Sequence, residues 1–286
     1  NLPPGEYQVD VIGGLPSAAD NTYDEDGGND SSTIVNLGDG DDHLTADFGY
    51  QGTASIGDTV WWDVNGDGVI DAGEPGLPGV EVTLVYAGLD GVIGNGDDLT
   101  FTQLTDGDGN YLFTDLPEGN YSVTISDNVP TGFAPTYDEN GGLDETSIVT
   151  GLTATDIHLT ADFGYTGTGS IGDLVFLDSN GDGVDDPGEP GIPNVGVELT
   201  WYGVDGTLGT ADDVTLATTT ESLGFYSFPD LPAGGYDVAV VTGTLPAGLS
   251  ATGDADGLGT PHGSSLMLAD GADDLDQDFG YRGGGS

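Results

Sequence analysis

One block of sequence, repeated at a spacing of 115 residues, limits what this chain can fold into more than any other feature. Ser55-Ile56-Gly57-Asp58 returns as Ser170-Ile171-Gly172-Asp173, Asn65-Gly66-Asp67-Gly68 as Asn180-Gly181-Asp182-Gly183, and Gly73-Glu74-Pro75-Gly76 as Gly188-Glu189-Pro190-Gly191. A closing run, Asp47-Phe48-Gly49-Tyr50, recurs at 162–165 and 278–281, and a short Gly-rich stretch that reads as a linker follows each copy. The units are 1–53, which matches only the back half of a repeat, and the complete repeats 54–168 and 169–286. This period is far longer than that of a solenoid, so each complete unit is expected to own a core.

Within each unit, apolar and β-branched residues alternate in short runs such as 80–86 and 121–125, bounded by Gly, Pro, Asn or Asp. That is the pattern of strands, and no stretch sustains the 3.6-residue period of a helix. The runs overrule the disorder signature that low hydrophobicity and high net charge carry. About seven short strands per unit predict an all-β chain of tandem, antiparallel, immunoglobulin-like β-sandwiches.

Composition removes several functions. The chain carries 51 Asp and Glu against one Lys or Arg, a formal net charge of −50. Phosphate recognition needs Lys and Arg to displace counterions, and Arg282 is the single candidate, so nucleic acid is excluded as a partner. Anionic lipid is disfavoured for the same reason, and no apolar run reaches the roughly 20 residues of a membrane-spanning helix. With no cysteine there is neither thiol catalysis nor a Cys-ligated metal.

The strongest chemical signal follows the first strand of each complete unit. Asp63, Asn65, Asp67, Gly68, Asp71 and Glu74 fit the calcium loop D-x-[DN]-x-[DN]-G-x5-E at every fixed position. Calcium takes six to eight hard oxygens, which the loop supplies from the Asp63, Asn65 and Asp67 side chains, the Val69 carbonyl, Asp71 and a bidentate Glu74. Asp178, Asn180, Asp182, Val184, Asp186 and Glu189 repeat the set. Asn-Gly and Asp-Gly are also ordinary hairpin turns, but two full matches in register, each with its distal Glu, favour the loop. The flanks are strand-like, so there is no helix pair for a sensor to open.

Two further acidic clusters occur in each unit. Asp90, Asp97 and Asp98 correspond to Asp205, Asp212 and Asp213; adjacent carboxylates repel unless a cation lies between them, which makes a second calcium the reading and a solvated turn the alternative. Asp24, Asp26 and Asp30 correspond to Asp138, Asn140 and Asp144, and the last unit has Asp254 and Asp256 but Thr260 in place of the final carboxylate. For this cluster calcium and a solvated loop stand level, with the Thr260 copy the weakest or empty. Asp106-Gly107-Asp108-Gly109-Asn110 reads as a hairpin turn.

The string 57–63, then Asn65-Gly66-Asp67-Gly68, Gly73-Glu74-Pro75-Gly76, Gly79-Val80-Glu81-Val82-Thr83-Leu84, Gly109-Asn110-Tyr111-Leu112-Phe113 and Leu116-Pro117-Glu118-Gly119-Asn120-Tyr121 resembles the calcium-binding B repeat of serine-aspartate repeat surface adhesins. The resemblance covers nearly the whole chain. It implies a prealbumin- or immunoglobulin-like sandwich, several Ca2+ per repeat, and a place in the stalk or filament of a bacterial cell-surface or secreted, extracellular adhesin. Its partners would be calcium, neighbouring repeats of the same chain, and copies associating laterally or end to end. Related collagen-adhesin modules lock themselves with a Lys–Asn isopeptide bond, which a chain without Lys cannot form.

Competing readings are a carbohydrate- or protein-binding module and a hydrolytic enzyme. His43 and His158 precede the closing run in two units, where alternation places them on the exposed face opposite inward Leu44 and Leu159, and the last unit has Asp274 instead. Nucleophilic catalysis needs a positioned base, and none is evident. Trp61, Trp62, Tyr86, Tyr111, Trp201, Tyr202 and Tyr226 lie at alternating strand positions, where core packing is the default over a sugar-stacking surface. Acidity spread over all faces would point to a saline habitat, but 11 of the 20 acidic residues in 54–168 fall in the three clusters or beside them. Residues 1–53 alone leave Val9, Ile12, Leu44 and Phe48 without a facing sheet, which makes the sequence an expected window on a longer chain with further repeats before Asn1, and with continuation after Ser286 left open.

Overall fold

The structure is a computed structural model that describes residues 2–16 and 19–283. Asn1, before which the longer chain is expected to continue, and Ser286 lie outside the described residues. Unit 1–53 contributes β1 (Gly5–Asp10), β2 (Asp20–Asp24), β3 (Ser32–Leu37) and β4 (Phe48–Gln51), paired antiparallel as β1 with β3 and β2 with β4. Unit 54–168 contributes β5 (Ala54–Trp62), β6 (Glu81–Tyr86), β7 (Leu99–Leu104), β8 (Asn110–Leu116), β9 (Gly119–Asp127), β10 (Phe133–Asp138), β11 (Thr146–Leu152), β12 (Ile157–His158) and β13 (Phe163–Gly167). Unit 169–286 repeats the order as β14 (Gly169–Leu177), β15 (Gly196–Trp201), β16 (Val214–Thr219), β17 (Phe225–Leu231), β18 (Gly234–Val240), β19 (Leu249–Gly253), β20 (Gly263–Leu268), β21 (Asp273–Asp274) and β22 (Phe279–Gly283). One 3-10 turn, Thr242–Thr244, is the only helical segment among the described residues.

Each complete unit is a sandwich of two sheets. One is four-stranded, in the order β11-β9-β6-β7, with β16-β15-β18-β20 as its counterpart. The other is built on β5, which pairs antiparallel with β8 on one side and parallel with β12 and β13 on the other. β14 does the same with β17, β21 and β22. The antiparallel sandwich read from the sequence is therefore corrected at these pairs. Alternation reveals which face a residue takes but not the direction of the neighbouring strand, and the closing run reaches β5 only after the chain has crossed the sandwich.

Alternation on β6 buries Val82, Leu84 and Tyr86, while Tyr111 and Phe113 of β8 and Tyr121, Val123 and Ile125 of β9 close the same core. Each such burial contributes about 1.5–3 kcal/mol. The run Leu-Pro-x-Gly-x-Tyr fixes one corner of every unit in the same way. The hydroxyls of Tyr7, Tyr121 and Tyr236 donate to the carbonyls of Pro3, Pro117 and Pro232 at 2.7, 2.5 and 2.7 Å. In unit 1–53 the inner face is uncovered: Ile12 is 96% exposed and Leu44 86%. A cavity of about 620 Å³, lined among others by Leu2, Tyr7, Val9, Val35 and Leu37, lies over it.

The Gly-rich linkers are not loose. A single residue, Thr168, separates β13 from β14, and its amide donates to Leu231 O at 3.1 Å. A Cβ on Gly52 would lie 2.0 Å from the Leu116 backbone, and one on Gly167 2.0 Å from that of Leu231, so glycine is required for the chain to pass so close. Trp62 and Phe133 of one unit meet Trp201 of the next at ring separations of 5.4 and 6.0 Å, with Trp62 and Trp201 both buried. The units meet end to end through an aromatic cluster in which Trp62 and Trp201 are buried and Phe133 is half-buried.

Candidate metal centre

The calcium-loop residues occupy a turn between β5 and a buried Leu77-Val80 segment, outside any helix. Asp63 is fully buried. Its two carboxylate oxygens accept the amides of Asp67 at 3.1 Å and Gly68 at 2.8 Å, which is possible because Gly68 takes φ +74°. Glu74 folds back from the far end of the loop, its Oε1 accepting the Val64 amide at 2.9 Å and its Oε2 the Asp71 amide at 3.0 Å. Asn65 donates its amide to Asp67 Oδ2 and Asp71 Oδ2 at 3.3 and 3.0 Å, gathering three side chains, and the Val69 amide donates to Asp67 Oδ1.

The second loop is nearly superimposable in its bonding. Asp178 is fully buried and accepts the Gly181 and Gly183 amides. Asn180 donates to Asp182 at 3.0 Å and Asp186 at 2.8 Å, Glu189 accepts from Ser179 and Asp186, and the Val184 amide donates to Asp182 Oδ1. One difference separates the loops: Arg282 Nη1 donates to Asn180 O at 3.1 Å, placing the chain's one Lys or Arg on this loop, where Thr166 holds the equivalent place in the other unit.

Between β15 and β16, Asp205, Asp212 and Asp213 converge. The Thr210 hydroxyl lies 3.4, 2.8 and 3.5 Å from one oxygen of each. In the other unit Asn95 takes that role, donating to Asp90 Oδ2 at 2.8 Å, while Asp98 Oδ2 accepts the Gly94 and Asn95 amides. Asp97 and Asp212 lie hard against the backbone of Gly88 and Gly203, where a Cβ would fall 2.2 and 2.3 Å from a carboxylate oxygen.

The third cluster is more scattered. Asp24 and Asp138 are buried and accept the amides of Asp30 and Asp144, with Gly142 also donating to Asp138, while Asp26 and Asp30 accept from Gly28 and Ser32. Asn140 is not brought to its carboxylates; it bonds the β11 backbone at Thr146 and Ile148. In the last unit Thr260 donates to Asp256, and burial together with the Asp256 charge raises the Asp254 carboxyl.

Among the described residues no three of His, Cys, Asp and Glu are already closed into a metal cage. The donor set nevertheless fits a hard cation. It is all oxygen, and two predicted ligands outside the twelve-residue loops, Asp24 and Asp98, each have a buried carboxylate oxygen with no hydrogen-bond partner, as do both oxygens of Asp254 in the Thr260 copy. An unpaired buried carboxylate oxygen is costly, and a cation is the partner that removes the cost.

Sequence reasoning missed a Thr–Glu–His group present in two units. His158 Nε2 lies 3.0 Å from Glu139 Oε2, and the Thr160 hydroxyl donates to Glu139 Oε1 at 2.6 Å; His43, Glu25 and Thr45 repeat it at 2.6 and 2.7 Å. The expectation of exposed histidines opposite inward leucines is corrected, since Leu159 is 46% exposed and His158 is half-buried. The signal was the repeated His-x-Thr beside a repeated Asp-Glu pair. The last unit, with Ala255, Asp274 and Asp276, lacks the group.

Two all-β sandwiches of one sequence pattern, joined end to end with acidic loops between their strands, define a tandem β-sandwich repeat protein. The SdrD B-like domain family matches residues 54–165 and 169–281, and the chain belongs to it. The chain is 36% identical over 249 residues to a serine-aspartate repeat-containing protein E of Staphylococcus aureus, covering 84% of this chain and 20% of that protein. It is 36% identical over 287 residues to a bone sialoprotein-binding protein of the same species, covering 94% and 23%. The chain thus spans about a fifth of the length of these relatives. A streptococcal ancillary pilin covers the whole chain and 77% of its own at 15% identity and a TM-score of 0.33, too loose a likeness to place a function.

Proposed function

We propose that this chain is a calcium-stiffened spacer in the stalk of an extracellular, cell-surface adhesin, holding other parts of a longer protein away from the surface. The observation that carries the reading is the end-to-end joint, where β13 runs into β14 through one residue and Trp62, Phe133 and Trp201 close the gap. A joint of this kind sets direction rather than merely linking. Calcium enters through the side chains of Asp63, Asn65, Asp67, Asp71 and Glu74 with the Val69 carbonyl, through their counterparts at 178–189, and through the Asp90 and Asp205 clusters. Bound there, the ion neutralises carboxylates that folding brings together. The chain's own part is to hold the loops at strand ends, with backbone amides fixing Asp63 and Asp178 beforehand.

A ligand held at 1,000 times its dissociation constant adds about 4 kcal/mol per site, comparable with much of a domain's net stability. Melting in excess chelator is expected well below melting in millimolar calcium, with protease cutting first at 63–74 and 178–189. Coincident melting curves would remove calcium from the proposal while leaving the joint in place.

A further inference from the structure

The acidic loops leave one border of each sandwich without charge. The four-stranded sheets end on one side at β11 and β20 and on the other at β7 and β16. The first two borders are covered by side chains. Asn140 accepts from the Ile148 amide and donates to the Thr146 carbonyl, both at 3.0 Å, in the manner of a neighbouring strand's peptide group, and Asp256 accepts from the Ser265 amide at 3.3 Å. Among the described residues no side chain bonds the backbone of β7 or β16; the Thr200–Thr215 contact at 3.1 Å joins two hydroxyls.

Natural sheets protect open edges with Lys or other charges, Pro, bulges or very short strands. None of these is found here. Leu99-Thr100-Phe101-Thr102-Gln103-Leu104 and Val214-Thr215-Leu216-Ala217-Thr218-Thr219 are uncharged in a chain where 51 of 286 residues are acidic. Both pair in unbroken six-residue register with β6 and β15, and every residue of β7 is exposed, Phe101 at 45% and Leu104 at 53%. Carboxylates bracket the open strands: Asp97 and Asp98 precede β7 and Asp106 and Asp108 follow it, while Asp212 and Asp213 precede β16 and Glu221 follows.

We propose that β7 and β16 each accept an extended segment of a partner protein by strand addition, the segment having an uncharged, β-branched centre and Lys or Arg at both flanks. Main-chain hydrogen bonds would provide the affinity and the bracketing carboxylates the choice of partner. A second copy of this chain is the wrong occupant. Antiparallel pairing of β7 with itself sets Asp97 and Asp98 against Asp106 and Asp108, and parallel pairing sets like against like, so carboxylates meet in either direction. The main-chain edges themselves contain none of the proposed calcium ligands, but Asp97, Asp98, Asp212 and Asp213 serve both readings, so only Asp106, Asp108 and Glu221 bracket the strands independently of calcium.

The test uses the whole chain in calcium-containing buffer and a synthetic peptide with an alternating Val-Thr core and a lysine pair at each end. Saturable binding is expected, with hydrogen exchange slowed over 99–104 and 214–219. The double variant Thr102→Lys, Ala217→Lys changes two exposed positions and should weaken binding about tenfold or more. Equal binding by a lysine-flanked peptide with a Gly-Ser core would show attraction by charge alone and overturn the proposal. So would exchange protection elsewhere, or unweakened binding to the double variant. A calcium-dependent dimer protecting the same amides would overturn the choice of occupant.

Discussion

The Thr210 hydroxyl and the Asn95 amide occupy corresponding places in two acidic turns, each offering a neutral donor to carboxylates that would otherwise repel. A cation bonds several such oxygens at once, which no single hydroxyl can do. Asn65 and Asn180 play the same part inside the longer loops. Glu74 and Glu189 are the residues on which the assignment turns, because each reaches back across its loop. Glu74→Gln keeps the volume but removes the negative charge and one of the two oxygens, so calorimetric titration with calcium should show one site weakened and the fold retained in excess metal; Glu189→Gln should do the same in the second unit. Titrations indistinguishable from wild type would place the ion elsewhere. The hydrogen-bonded turn these residues form was legible in the sequence because its partners lie within twelve positions and carry their spacing in the chain itself. The Thr–Glu–His group was not legible, because Glu139 meets His158 and Thr160 only after β10 and β12 are placed in one sheet.

At the scale of the elements, strand positions and buried faces followed from alternation, whereas the parallel placement of β13 beside β5 did not. That placement has an electrostatic result. It brings Asp162 to the Thr59 amide at 3.0 Å, and burial, with the Asp58 and Glu139 charges adding to it, pushes its carboxyl up to about 6. Asp278, bonded to the Leu174 amide at 3.1 Å, is likewise raised to about 6 by burial and Asp173. An unfolded Asp ionises near 3.8, so the folded chain holds these protons more tightly and loses stability as pH climbs from about 4 to about 6, with the full penalty present above that window. Asp162→Asn and Asp278→Asn keep an acceptor for the amide and remove the charge. Each variant should melt higher than wild type at pH 7, and the gap should close by about pH 4. A gap that persists unchanged in acid would mean that the gain comes from packing instead.

For the whole molecule, the joint decides between a rod and a string of beads. Trp201→Ala removes the ring that touches both Trp62 and Phe133, and large-to-small changes at buried aromatics cost about 3–5 kcal/mol. Much of that loss should appear as freedom between units rather than as unfolding, because β14 to β22 form their own sandwich. X-ray scattering should report a shorter and more variable particle for the variant in calcium, while circular dichroism stays that of folded sheet. An unchanged scattering profile would mean that Thr168 and the glycines at the crossing hold the angle without the ring.

Two of the chain's three tryptophans, Trp62 and Trp201, meet in this joint, while Trp61, on the opposite face of the same strand, packs 5.5 Å from Tyr137 within its own unit. Indole emission shifts to longer wavelength when water reaches the ring, so the native protein needs no added dye to signal the state of this one junction. Under a pulling force, the colour of its fluorescence would tell when the two repeats part, before either has begun to unravel.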